Sequence, residues 1–90
     1  MTPKHYKIII TGLVQGVGFR WSAKRYANSL GVFGCVKNMP DRSVHVEVEG
    51  EEGKVARFIE WVKNGFDYPG KHSVELQPGS ARGYKDFTIE

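Results

Sequence analysis

Ninety residues, 40% of them apolar and 26% charged, suit one globular domain spanning residues 1–90 and exclude a disordered chain. A single cysteine, Cys35, excludes an internal disulfide and fits a reducing compartment. The net charge of +3 favours an anionic partner, but the 13 Lys and Arg are spread along the chain, where a nucleic-acid protein more often clusters them on one element.

Met1 to Lys4 reads as a frayed end, and no basic segment followed by an apolar stretch opens the chain. Tyr6 to Thr11 is rich in β-formers, with Tyr6, Ile8 and Ile10 on one face, and is predicted as the first strand. A glycine-rich stretch follows, from Gly12 to Arg20. Phe19, Ala23, Tyr26, Ala27 and Leu30 then repeat at helical spacing, and Gly31 supplies a stop. Val32 to Asn38 is the second predicted strand, Met39-Pro40-Asp41-Arg42 a turn, and Val44 to Glu49 the third strand. In that third strand the valines face in, and His45, Glu47 and Glu49 face out.

Glu51 and Glu52 stand at what becomes the positive end of a second helix, whose stripe is Val55, Phe58, Ile59 and Val62. Gly65 is the expected stop, reinforced by Pro69 and Gly70. Val74-Glu75-Leu76 alternates as a fourth strand, Pro78-Gly79-Ser80 turns, and Phe87-Thr88-Ile89 is a short edge strand. Trp21, Trp61 and the other aromatics are assigned to core packing. No run approaches a membrane span, so the expectation is a cytoplasmic protein without a membrane partner.

The order β-α-β-β-α-β, with a last strand appended, predicts an α+β fold. It is the ferredoxin-like split β-α-β sandwich, a mixed sheet of four to five strands with both helices on one face. Strands one and two then run parallel with strand three between them. The glycine stretch after strand one and Asn38 at the end of strand two should therefore share one end of the sheet.

Gly12, Gly16 and Gly18 permit a tight turn with positive φ, and such a turn can direct consecutive N–H groups at an anion. The helix start adds unpaired amides and the positive end of its dipole, and Arg20 adds a planar five-donor cation. A plain strand–helix turn is the competing reading, because no Walker lysine follows and the spacing is not that of the dinucleotide fingerprint. Asn38 has a plain reading too, as an ordinary turn residue; its place beside the cradle favours a role in the site. His5, His45 and His72 are dispersed and have no ligand-like spacing. Cys35 lies mid-strand and reads as a packed thiol. An arginine, some amides and an asparagine contain no general base, which suits phosphoryl transfer from a good leaving group such as the carboxylate of an acyl phosphate.

Val14-Gln15-Gly16-Val17-Gly18-Phe19-Arg20, together with Gly34-Cys35-Val36-Lys37-Asn38, Asp41 and Ser43-Val44, resembles the acylphosphatase family from about Tyr6 to Glu90. The resemblance implies that the amides of Gln15, Gly16, Val17, Gly18, Phe19 and Arg20, with the Arg20 side chain, hold the phosphoryl group. It implies that Asn38 orients the attacking water, that no metal or cofactor takes part, and that the proton passes to the substrate's own phosphate. The partners would be a small-molecule acyl phosphate and inorganic phosphate as product and inhibitor. Two departures stand out: Arg42 where the family usually has Gly, and the segment 65–70, which lacks the usual Gly-Pro-Pro run. Carbamoyl phosphate handling is a further possibility, since domains of this family occur in hydrogenase-maturation proteins; the absence of attached domains argues against it. A phosphate- or RNA-binding ferredoxin-like module is the non-enzymatic alternative, and the polar face of strand three is a poor surface for RNA.

Overall fold

A computed structural model of the chain describes residues 3–12, 18–64 and 72–90. The elements are β1 (Lys4–Gly12), α1 (Phe19–Leu30), β2 (Phe33–Asn38), β3 (Val44–Gly50), α2 (Glu52–Lys63), β4 (His72–Gly79) and β5 (Phe87–Ile89). Their number and order match the expectation, with differences only at the ends. Lys4 pairs with Gly50 and so belongs to β1. β4 runs through Pro78 and Gly79, where a turn was expected. The sheet order is β4-β1-β3-β2-β5, so β4 is an edge strand. An edge strand tolerates a proline, which cannot donate to a ladder. The expected stop at Gly65 lies outside the described residues; α2 ends at Lys63 with Asn64 as its cap.

β1 and β2 both pair antiparallel with β3, and β5 pairs parallel with β2. α1 packs on β2 and β5, α2 packs on β1, β3 and β4, and the two helices touch each other. The inward faces are apolar at strand and helix period, as patterning requires. Ile8, Ile10, Val36, Val44, Val46 and Val48 meet Phe19, Ala23, Ala27, Val55, Phe58 and Val62 in one core. Each large apolar side chain buried there contributes roughly 1.5–3 kcal/mol. Trp61 closes the core with its ring 4.9 Å from Tyr26 and 5.9 Å from Phe19.

Trp21 departs from the core assignment: it lies off the α1 stripe and is 64% exposed. The outer face of the sheet departs too. Glu49, expected to be solvated, is only 4% exposed, and His5 opposite it is 5% exposed. Alternation alone could not reveal this, because the burial comes from a distant segment folding over that face.

Candidate active site

The strand register brings the two candidate features to one level. Val44 on β3 pairs with Ile10 of β1 on one side and with Asn38 of β2 on the other. Ile10 and Asn38 are thus two strand spacings apart, about 10 Å. Gly12, with φ 119°, ends β1 two residues beyond Ile10. Both the exit toward the glycine stretch and Asn38 lie at the same end of the sheet.

The cradle residues Gln15, Gly16 and Val17 lie outside the described residues. Gly18 is the N-cap of α1 at φ 79°, in the left-handed region, and no side-chain hydrogen bond caps the helix there. An added Cβ at Gly18 would meet nothing within 4 Å. Backbone conformation, not crowding, is therefore what favours glycine at this position. Phe19 buries its ring in the core and can offer a ligand only its backbone. Arg20 stands half-buried in the first turn, which contains no acidic residue. Among the described residues no carboxylate pairs with Arg20. A helix start without acid, and with a guanidinium that no described carboxylate neutralises, is an electropositive surface suited to an anion.

Asn38, at the end of β2, has a buried side-chain oxygen, Oδ1, with no hydrogen-bond partner among the described residues. Leaving such a group unsatisfied costs about 1–3 kcal/mol, so it calls for a functional account. The hairpin beyond it is tightly tied. Met39 donates its amide to the Ser43 carbonyl at 2.8 Å, and Asp41 Oδ1 accepts from both the amide and the hydroxyl of Ser43. The Ser43 hydroxyl and then its amide hold the Asp41 carboxyl below its ordinary range. Ser43 is buried; the sequence marked it only as part of the stretch Asp41 and Ser43-Val44 that carries the family resemblance.

Other chemistry-bearing groups serve elsewhere. His5 sits between Glu47 and Glu49 at the far end of the sheet, and His72 Nε2 lies 2.9 Å from the Val62 carbonyl. His45 is half-buried on the outer face, opposite Ile9 and Lys37. Burial pushes the Cys35 thiol up, the reverse of what a nucleophile needs, and its Sγ lies 3.8 Å from the Tyr84 hydroxyl. Among the described residues no group of three or more His, Cys, Asp or Glu side chains could hold a metal ion.

The candidate site therefore sets the start of α1 and, across β3, an amide oxygen unsatisfied among the described residues at one end of the fold that the motif order demanded. The acylphosphatase family model matches residues 6–89. The chain belongs to the acylphosphatase family. An acylphosphatase of Thermotoga maritima is 44% identical over 87 residues, covering 97% of each chain. The crystal structure of an acylphosphatase from Bacillus subtilis superposes with a TM-score of 0.83 at 37% identity, covering 97% of this chain and 98% of that one. Full-length HypF, in its phosphate- and nucleotide-bound form, gives a TM-score of 0.89 at 31% identity over 98% of this chain but only 12% of its own. The family fold thus occurs both as a chain of this size and as a small part of a larger one.

Proposed function

We propose that the amides of Gln15 through Arg20 and the Arg20 guanidinium bind the phosphoryl group, and that Asn38 orients the water that attacks it. The chain hydrolyses acyl phosphates to carboxylate and inorganic phosphate, the activity of the family to which it belongs. The water oxygen forms a bond to phosphorus while the bond from phosphorus to the acyl oxygen breaks. The carboxylate leaves with the electron pair, and the water's proton passes to a phosphoryl oxygen. No strong acid is needed for so stable a leaving group. The work left to the protein is positioning and charge stabilisation. Arg20 and the amides meet the charge on the equatorial oxygens, in a helix-start field that already favours negative charge.

The buried, unpartnered Oδ1 of Asn38 carries this reading. An amide oxygen accepts a hydrogen bond from water and so turns a water lone pair toward phosphorus. The reaction so drawn uses neither metal nor cofactor. The family model's span, residues 6–89, supports one acylphosphatase-like domain over 1–90. Glu47 on the outer face works against nucleic acid there, and no helix among the described residues is long and apolar enough to cross a membrane. A cytoplasmic setting accords with the single free cysteine.

The deciding experiment offers benzoyl phosphate with excess chelator and follows its hydrolysis. Turnover unaffected by the chelator, with competitive inhibition by inorganic phosphate, is the expected result. Activity lost to the chelator and restored by a divalent ion would overturn the metal-free scheme.

A further inference from the structure

The outer face of the sheet carries a second polar cluster, which hydrolysis as drawn above does not use. The segment 80–86 has no helix or strand of its own. It leaves β4 at one edge of the sheet and delivers the chain to β5 at the other, so it must cross β1, β3 and β2. Glu49 is the pin under this strap. Its Oε1 accepts from the Arg82 amide at 2.7 Å and lies 2.8 Å from His5 Nδ1; its Oε2 accepts from the amides of Gly83 and Tyr84 at 2.9 and 2.8 Å. Three consecutive amides converging on one carboxylate form an anion nest, closed here by the protein's own side chain. Gly83 makes the nest possible with φ 80°.

The neighbours reinforce the pin. The Tyr84 ring stacks on His5 with centroids 6.2 Å apart, and its hydroxyl donates to Glu47 Oε2 at 3.3 Å. Burial and then the Cys35 contact push the phenol up to about 12, so it remains a donor. The Arg82 guanidinium lies 3.6 Å from Glu47 Oε1, and His5 Nε2 lies 3.0 Å from the same oxygen. Burial raises the Glu49 carboxyl, but the Arg82 amide, His5 and the Tyr84 and Gly83 amides outweigh it and leave the group below its ordinary range.

What the strap holds is β5. This strand has three residues, Phe87–Ile89, paired with Gly34–Val36 of β2. Flanking bonds run from the Gly34 amide to the Asp86 carbonyl at 2.9 Å and from the Glu90 amide to the Val36 carbonyl at 2.8 Å. Three residues of parallel pairing are too few to persist untethered. Asn38 lies two residues beyond Val36 on the same strand. We infer that Glu49 is a positioning residue for hydrolysis: by anchoring the 80–86 strap it keeps β5 on β2 and so fixes the strand end that presents Asn38. The effect is indirect, since Glu49 pairs with Phe33, five residues from Asn38 along β2 and thus about 16 Å away. The assignment rests on the role proposed above for Asn38.

Glu49→Gln keeps the side-chain size but turns an NH2 toward donors, so the nest fails. Amide hydrogen exchange at Gly34 and Glu90 should accelerate by about tenfold or more, while amides between β1 and β3 keep their protection. The kcat on benzoyl phosphate should fall by about three- to tenfold, with the inhibition constant of inorganic phosphate unchanged within about twofold. That split separates loss of Asn38 placement from general unfolding, which would reduce active fraction and phosphate binding together. Gly83→Ala, strained at its φ but free of clashes, should give the same pattern at smaller amplitude and serves if Glu49→Gln does not fold. Unchanged exchange at Gly34 and Glu90, or accelerated exchange with unchanged kcat, would overturn the assignment. A wild-type chain without turnover would instead overturn the function itself.

Discussion

The amide of Arg42 donates to the carbonyl of Met39 at 3.0 Å, closing a turn that holds Arg42 at φ 75°. With the Met39–Ser43 bond this is a three-residue hairpin loop, a turn followed by a left-handed residue. Glycine suits that last position; an L side chain there costs roughly 1–2 kcal/mol. Arg42→Gly relieves the strain but loosens the unfolded chain, which offsets roughly 0.5–1 kcal/mol. The expected net gain is about 0.5–1 kcal/mol, a rise in Tm of a few degrees at unchanged kcat. Arg42→Val should lower the Tm. Thermal melts of the two variants check both signs.

A glycine on β2 is under stricter demand. A Cβ at Gly34 would stand 1.7 Å from the carbonyl oxygen of Glu47 and 2.7 Å from its carbon, at φ 146°. Backbone of a central strand cannot yield by that much. Gly34→Ala is expected to abolish folding or to cost more than about 4 kcal/mol, measured by denaturant unfolding.

Glu49 gives stability an acid dependence. Its folded carboxyl titrates below the unfolded value near 4.5, so its contribution is present in full above that pH and is lost as pH falls through the folded value. Asp41 acts with the same sign, through its bonds from Ser43. Unfolding free energy should therefore decline as pH falls below about 4.5, and the decline should be shallower in Glu49→Gln, where only Asp41 of this pair remains. Equal slopes in the two proteins would contradict the buried, hydrogen-bonded carboxylate.

Arg20 and Asn38 should separate kinetically. Arg20→Ala removes a group that touches phosphate in ground and transition states, so phosphate inhibition weakens and kcat falls together. Asn38→Ala removes only the hold on water. Its kcat should drop on the order of a hundredfold, roughly 3 kcal/mol, with phosphate inhibition intact. Neither residue belongs to the apolar core, so circular dichroism should match wild type. A folded Asn38→Ala variant with near-normal kcat would reduce Asn38 to a turn residue.

Periodicity by itself determined the seven elements and the helix-facing core, because every apolar stripe is written locally: Ile8 and Ile10 at period two, Val55 to Val62 at helical spacing. Element order then placed the end of β1 and Asn38 together, since a split β-α-β chain leaves those two strand ends no other relation. Motif residues named the family before any distance was known. Tertiary structure alone decided the rest. It put Arg42 in a left-handed conformation and left the Asn38 oxygen unsatisfied among the described residues. It also turned Trp21 to solvent and buried Glu49 and His5 beneath the strap. A strand's alternation states which face a side chain takes, but not what lies over that face. Glu49 reads as solvent-facing from its own neighbourhood, and only partners more than thirty residues away, the amides of Arg82, Gly83 and Tyr84 and the His5 ring, make its burial tolerable.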